Sequence, residues 1–383
     1  MPDYEKAAVP IPSVGADGEQ QLSQMTEHSI TEPCREHKPP QDAFFEKMRR
    51  MQRLYDPNRL NTVTMSELYE NVYQNRPPII DGLLHVGTYL FAGAPKIGKS
   101  YFMAQLAYHV SSGIPLWDYA VHKGTVLYLA LEDDHRRLQA RLFRMFGTEA
   151  VENLYFATDA KQLGAGLDEQ LEKFLREHPE TKLVIIDTLQ KIREVEGSRC
   201  SYASDYDVIG RLKQFAGYHG ICLLLVHHTR KQQAEDKFDM ISGTNGLLGC
   251  ADGAFLLHKE KRTDNSATLD VSGRDQQDQR FYLIKNVSRL TWELERTETE
   301  LWKPPPDPVL ETVAGLLTED RTKWSGTATE LAAALGLDMK PNTLSMRLNV
   351  NVDRLRDEYG VAYEATRNHA GRKIMLSRMV DSA

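Results

Sequence analysis

The sequence predicts an α/β protein with a mostly parallel central sheet, followed by a smaller domain of helices and a β-ribbon. Short apolar strands alternate with helical segments from about residue 81 to 295, and strands separated by helices usually pair in parallel. A glycine-rich turn joins the first of these strands to the first helix. A proline run at residues 304–306 then precedes several helices and a final ribbon, which indicates a second domain.

Composition limits the class of protein. The 383 residues are 41% hydrophobic and 26% charged, as in soluble globular proteins long enough for more than one domain. The net charge of −7 indicates no overall affinity for nucleic acid, although a local basic face remains compatible with it. The four cysteines are scattered without a C-x-x-C pair, which favours reduced thiols over a zinc site or a disulfide framework. With no signal pattern and no apolar segment long enough to span a membrane, we expect a cytoplasmic protein.

The chain divides into five predicted parts. Residues 1–40 are rich in Pro, Glu, Gln, Ser and His and predict a flexible tail. Residues 41–80 predict a helical lead-in, and residues 81–303 the α/β domain. The prolines at 304–306 predict a stiff linker, and residues 307–383 the small C-terminal domain.

The sequence of the α/β domain predicts alternating strands and helices. Its predicted strands are 87–92, 124–131, 153–157, 182–187 and 221–226, and its predicted helices are 101–108, 135–146, 167–177 and 206–219. From Gly253 onward strands dominate, which predicts antiparallel strands that extend the sheet. Those strands are 254–257, 267–271, 281–285 and 290–294.

The C-terminal domain has the element order of a winged helix-turn-helix. Its predicted helices are 309–317, 328–335, 342–348 and 353–359, and its ribbon strands are 362–365 and 373–376. Between Lys340 and Arg378 there are eight Lys/Arg against four Asp/Glu. A positive excess on a recognition helix and a wing suits contact with DNA phosphates, and contact with a protein is the alternative. The cations concerned are Arg347, Arg367, Arg372 and Lys373.

A phosphate-binding loop is the strongest chemical signal. It matches G-x-x-x-x-G-K-[S/T] and consists of Gly93, Ala94, Pro95, Lys96, Ile97, Gly98, Lys99 and Ser100, with Tyr101 following. The glycines let the backbone wrap a phosphate, and N–H groups at the helix start point toward it. Lys99 is predicted to reach the β- and γ-phosphates, and Ser100 to hold Mg²⁺. The alternative is a glycine turn before an ordinary helix.

Two acidic residues at strand ends are predicted to complete the hydrolytic chemistry. Asp187 ends an aliphatic strand, where its carboxylate can reach the Mg²⁺ shell; the alternative is a helix cap or turn. Glu132 ends the preceding strand and is predicted to orient or activate the attacking water. Glu132, Asp133 and Asp134 could instead form the first turn of the next helix, where the helix dipole favours acids. Both interpretations hold together if Glu132 acts on water and Asp133 or Asp134 caps the helix.

Two further features bear on coupling between the nucleotide and a partner. His227 and His228 follow the strand 221–226. A role as a γ-phosphate sensor, with His228 favoured, is one interpretation, and a metal site or a solvated turn is the alternative. The polar loop 231–246, which contains Lys231 and Lys237, could contact a phosphodiester backbone or pack on a neighbouring subunit, since loops of this length are usually functional.

Arg274 follows a predicted strand in the antiparallel part of the sheet. An arginine supplied by a neighbouring subunit would neutralise charge on the transferred phosphoryl group. A surface salt bridge is the alternative, and Arg280 and Lys285 compete for the same role.

Five ordered motifs resemble those of RepA-type hexameric helicases, a branch of the RecA/DnaB ATPase superfamily found on plasmids and integrative elements. The motifs occupy residues 93–100, 128–134, 183–189, 226–231 and 242–252, and the resemblance runs from about residue 81 to 295. The segments 324–331 and 371–374 resemble the winged-helix tail of mobile-element proteins of this type.

The resemblance implies a RecA-like P-loop core and a homo-oligomer, a hexameric ring with ATP and Mg²⁺ at each interface. It implies that Glu132 activates water, that His228 is the sensor and that Arg274 acts in trans. It also implies that the loop after Lys231 faces a channel holding single-stranded DNA. The implied function is an ATP-hydrolysing helicase or translocase that replicates a plasmid or mobile element, with host replication proteins as further partners. The alternatives are a RecA-like ATPase that loads or regulates a helicase without unwinding DNA, and a small-molecule phosphotransferase.

Overall fold

The computed structural model describes residues 60–379 apart from 61, 75, 194–201, 230–237, 239–240, 242–244, 262, 275, 300–303 and 369–370. The chain divides into one unit over residues 1–64 and a second over residues 65–383, and all of the described helices and strands lie in the second unit. The predicted tail 1–40 and most of the predicted loop 231–246 lie outside the described residues.

Nine strands of the described chain form the central sheet. They are β1 (Gly87–Gly93), β2 (Thr125–Ala130), β3 (Leu154–Ala157), β4 (Thr181–Asp187), β5 (Cys222–His228), β6 (Gly253–His258), β7 (Ser266–Gly273), β8 (Gln276–Lys285) and β9 (Trp292–Thr297). The strand order is β3-β2-β4-β5-β1-β6-β7-β8-β9. Strands β1 to β6 pair in parallel, which confirms the predicted α/β class with a mostly parallel sheet.

The direction of β6 differs from the prediction of antiparallel strands from Gly253 onward. Strand β6 pairs in parallel with β1, with Tyr89 opposite Gly253, and the antiparallel run begins only at β7. The connection from β5 to β6 is long enough to cross back to the amino-terminal edge of the sheet, as a parallel pairing requires.

Helices cover both faces of this sheet. In the order of the chain, the helices up to β6 are α1 (Met65–Glu70), α2 (Lys99–Ser112), α3 (His135–Phe146), α4 (Leu167–Glu177), α5 (Leu189–Ile192), α6 (Tyr202–His219) and α7 (Asn245–Cys250). Alternate side chains of β1 enter two different cores: Tyr89 and Phe91 pack in one, and Leu90 and Ala92 in the other. A strand buried on both faces explains the continuous apolar runs in the sequence.

The C-terminal residues have a core of their own. Their elements are α8 (Pro308–Gly315), β10 (Lys323–Thr327), α9 (Ala328–Leu335), α10 (Pro341–Val350), α11 (Val352–Tyr359), β11 (Val361–Asn368) and β12 (Gly371–Arg378). The strands form an antiparallel sheet in the order β10-β12-β11. The helices and the ribbon occur where the sequence predicts them, and β10 is an additional strand. The assignment as a winged helix stays a prediction.

The structure corrects the expectation that Arg347 is free to contact DNA phosphates from the recognition helix. Its guanidinium binds both carboxylate oxygens of Asp307, at 2.9 Å each, and Asp307 also caps α8 through the N–H of Val309 at 2.9 Å. Arg347 is therefore engaged within the domain and is not free for a phosphate. It is also the only Lys or Arg in α10, so this helix presents no unpaired cation.

Helix α1 attaches to the same domain. The side-chain amide of Asn349, which is 1% exposed, donates to the carbonyls of Tyr69 at 2.9 Å and Glu70 at 3.1 Å. In this way a buried side chain satisfies carbonyls at the end of a short helix. Among the described helices, none combines the length and the apolarity that crossing a membrane requires.

Candidate functional site

Four neighbouring strand ends form the candidate site. Strands β2, β4, β5 and β1 lie side by side, with Ala130 opposite Asp187 and Gly93 opposite His228. Because parallel strands end at the same edge, the residues after each strand converge there. The structure thus brings Glu132, Asp187, His228 and the phosphate-binding loop together, as the sequence predicts.

The backbone of the loop between β1 and α2 is curved as a phosphate cradle requires. Lys96 and Gly98 have φ values of 66° and 110°, and left-handed residues in such a turn aim N–H groups at one point. A Cβ on Gly98 would lie 3.0 Å from the Trp292 ring, and one on Gly93 would lie 2.7 Å from the Ile97 side chain. Both glycines are therefore needed for this close packing, and the unpaired N–H groups that begin α2 face the same space.

Lys99 begins α2 and is 6% exposed. Its ammonium donates to the carbonyls of Gly93 at 2.7 Å and Ala94 at 3.0 Å, and it lies 3.1 Å from Nδ1 of His228. These contacts use all three donors of an ammonium group. Burial lowers the pKa of Lys99 to about 8, against the opposing effect of the Asp187 and Glu132 carboxylates. The loop therefore holds a desolvated cation that an anionic phosphate would stabilise.

Asp187 and Ser100 place two side-chain oxygen atoms close together beside the phosphate-binding loop. Asp187 is 6% exposed and accepts a hydrogen bond from the hydroxyl of Tyr128 at 3.0 Å and another from Ser100. Burial raises the pKa of Asp187, while the hydrogen bonds from Ser100 and Tyr128 favour its ionised form. Within the described residues no group of three His, Cys, Asp or Glu could hold a metal by itself. Two protein oxygens beside a phosphate cradle fit Mg²⁺, which usually takes most of its ligands from phosphates and water.

The three acidic residues after β2 have separate roles. Asp134 is the N-cap of α3 and accepts from the N–H of Arg137 at 2.8 Å. Asp133 pairs with Arg141 at 2.6 Å. Glu132 is exposed at the strand end and accepts a hydrogen bond from the hydroxyl of Thr188 at 3.1 Å. The helix cap and the candidate water-activating carboxylate are thus different residues.

His228 links the phosphate-binding loop to the chain that leaves β5. Burial lowers its pKa, and so does the neighbouring Lys99 ammonium, whereas Glu132 and Asp187 oppose the shift. A neutral imidazole whose Nδ1 accepts from Lys99 fits this environment. His228 therefore lies in direct contact with the lysine of the phosphate-binding loop, while His227 beside it is 5% exposed.

The structure does not bring Arg274 to this site. Arg274 follows β7, whose last residue Gly273 pairs with Gly253 at the start of β6. That end of the sheet is opposite to the phosphate-binding loop, and the guanidinium donates to the carbonyl of Gly249 at 2.7 Å. Arg274 is exposed there, away from the phosphate-binding loop of the same chain.

The two competing cations differ in position. Arg280 pairs with Asp270 within the sheet. The ammonium of Lys285 lies at the other edge, 4.6 Å from the ring centre of Tyr101. Tyr101 is thus part of the surroundings of the loop, as the motif predicts.

The sequence prediction assigned no role to three residues that contact the site. Tyr128 holds Asp187, Thr188 holds Glu132, and Trp292 covers Gly98. Trp292 is also fixed by Gln105, whose side chain binds its backbone N–H at 2.7 Å and its carbonyl at 2.9 Å. The position of Thr188 directly after Asp187 is a usable signal, whereas nothing near Trp292 in sequence indicates its role.

Comparison with protein families adds to this geometry. Residues 55–234 match the family model described as AAA domain. The matched residues include the phosphate-binding loop, Glu132, Asp187 and His228.

Similar solved structures include the ATPase domain of G40P, at 16% identity and a TM-score of 0.48, over 67% of this chain and 99% of that one. They also include a DnaB-like replicative helicase described with its interactions with primase. It is 19% identical with a TM-score of 0.46, over 67% of this chain and 71% of that one. No curated protein matches this chain.

Proposed function

We propose that this protein is a Mg²⁺-dependent ATPase that acts on DNA as a helicase or single-strand translocase in replication of a plasmid or mobile element. The observation that carries the proposal is the convergence of Lys99, Asp187, Glu132 and His228 at four adjacent strand ends. These are the groups needed to bind a triphosphate, hold its metal ion and orient water.

Each side chain has a role that its position supports. Lys99 neutralises phosphate charge, and Ser100 with Asp187 would hold Mg²⁺, which withdraws charge from the β- and γ-phosphates. Glu132 orients the attacking water and accepts its proton. His228, in contact with Lys99 at 3.1 Å, responds to the presence of the γ-phosphate and moves the chain that follows β5.

The proposal includes a ring of identical subunits, six by resemblance, with the nucleotide at each interface. Arg274 supports this arrangement because it lies at the sheet edge opposite to its own phosphate-binding loop. From that edge it can act only on the nucleotide of another subunit. The chain after β5 would face the single-stranded DNA.

The test combines three measurements on the full chain. ATP hydrolysis is expected to rise with single-stranded DNA and to vanish in Lys99→Ala. Mass measurement is expected to show a ring, and a forked duplex is expected to be unwound. Turnover that ignores DNA and comes from a stable monomer would overturn the helicase proposal.

A second candidate is an ATPase that loads or regulates a replicative helicase without unwinding DNA. The pairing of Arg347 with Asp307 favours it, because α10 then presents no free cation to a phosphate backbone. Such a helix face is better suited to contact with a protein partner. Binding to a host helicase, together with DNA-stimulated hydrolysis and no strand displacement, would select this candidate.

A further inference from the structure

The carboxylate of Glu132 depends on a neighbour for its orientation. Glu132 is exposed at the end of β2, and a free glutamate has several side-chain rotamers. The hydroxyl of Thr188 donates to its Oε1 at 3.1 Å. The backbones are tied just before this contact, since the N–H of Leu131 donates to the carbonyl of Asp187 at 2.8 Å. The hydrogen bond therefore joins two groups whose spacing the sheet already sets.

Thr188 occupies a position at which a threonine side chain normally caps a helix. It is the N-cap of α5, yet its side chain makes no capping hydrogen bond. A capping hydroxyl at such a position commonly stabilises the start of a helix. The Thr188 hydroxyl instead donates to Glu132, and the residue is 1% exposed. A buried hydroxyl without a partner is costly, so Glu132 is the group that satisfies it.

We infer that Thr188 is the positioning residue for Glu132, which is a role within the hydrolytic site proposed above and rests on that proposal. With Oε1 held by Thr188, Oε2 remains available to the attacking water. In the reaction, the water oxygen bonds to the γ-phosphorus and the bond to the bridging oxygen breaks, with its electron pair left on ADP. The water proton passes to Oε2 of Glu132. Thr188 does not touch the reacting atoms and acts through the orientation of this carboxylate.

The metal-binding residues are held by different contacts. Asp187 accepts from Tyr128 at 3.0 Å and from Ser100, and the Thr188 hydroxyl is directed to Glu132 rather than to either of them. Loss of the Thr188 hydroxyl should therefore slow the chemical step and leave nucleotide binding intact. A residue with only a structural role would change both.

The test is the replacement Thr188→Val, which keeps the buried shape and removes the hydroxyl. We expect kcat to fall by about tenfold, since a general base contributes roughly 10²–10⁴-fold and positioning is a part of that. KM for ATP and the affinity for a fluorescent ATP analogue should stay within about twofold of wild type, as expected for an interaction used only in the transition state. Thr188→Ser keeps the hydroxyl and should retain most of the wild-type kcat. If Thr188→Val does not fold, Thr188→Ala provides a second variant that lacks the hydroxyl.

Thr88→Val is the matched control. The Thr88 hydroxyl is buried and has no hydrogen-bond partner within the described residues, so the same exchange there should leave kcat unchanged. A second control uses Glu132→Gln. In that background Thr188→Val should add little further loss, because the two residues act as one unit.

The outcomes separate the two proposals. A wild-type protein that does not hydrolyse ATP overturns both of them. Wild-type hydrolysis with an unchanged kcat in Thr188→Val and Thr188→Ala overturns the role of Thr188 alone. Failure of serine to restore kcat, an equal loss in Thr88→Val, or full additivity with Glu132→Gln would also overturn it.

Discussion

The protonation of Lys99 makes nucleotide affinity depend on pH in a defined direction. Burial lowers the pKa of Lys99 to about 8 in the free protein, and a bound triphosphate would raise it by supplying negative charge. The complex therefore holds a proton that the free protein loses as the pH rises above about 8. Affinity should be nearly constant below this pH and should fall above it.

The size of the fall in nucleotide affinity follows from the change in the pKa of Lys99 on binding. One pKa unit corresponds to about 1.4 kcal/mol, so raising the pH by one unit above the pKa of the free protein weakens binding by about tenfold. Equilibrium titration with a fluorescent ATP analogue at fixed Mg²⁺ gives the slope. Calorimetry in two buffers with different ionisation enthalpies should show uptake of a proton at high pH.

Lys99→Arg is the control for this pH dependence. Arginine keeps its charge across the accessible pH range, so the slope should disappear in the variant even if its affinity is lower. A slope of the same size in Lys99→Arg would refute the assignment to Lys99. A pH of about 9.5 lies well above the pKa expected for a buried lysine ammonium. If the wild-type affinity for the nucleotide stayed constant up to that pH, the inference that burial lowers the pKa of Lys99 would be refuted.

Two further predictions concern the contacts around the loop. Tyr128→Phe removes the hydroxyl that binds Asp187 at 3.0 Å. The Mg²⁺ concentration for half-maximal hydrolysis should rise by about tenfold, as for other contacts that orient a metal ligand. An unchanged Mg²⁺ titration would count against the metal role of Asp187. Gly98→Ala places a Cβ 3.0 Å from the Trp292 ring at a φ of 110°. ATP binding should be lost while the circular dichroism spectrum stays that of the wild type, and retained binding would contradict the cradle geometry.

Much of the site could be predicted from the sequence because its parts are local patterns. The loop from Gly93 to Ser100 is contiguous, and Asp187 and His228 each end an aliphatic run. Once the strands are taken as parallel, their ends must meet at one edge. The sequence was less informative where a strand could pair either way, as with β6.

Charge counting misled at helix α10 of the C-terminal domain. The positive excess between Lys340 and Arg378 suggested free cations on the recognition helix. In the structure Arg347 is bound by Asp307 from α8. A count of charges carries no information about which of them are paired, because pairing depends on which helices pack together.

The sequence by itself determined the α/β class, the phosphate-binding loop and the strand-end residues, since each depends on neighbours within a few positions. Only the tertiary structure decided how these residues are held. Thr188 lies 56 positions from Glu132, Tyr128 lies 59 from Asp187, and Trp292 lies 194 from Gly98. Contacts over such separations follow from strand order and side-chain packing. The same is true of Arg274, which the fold places at the edge of the sheet away from its own loop.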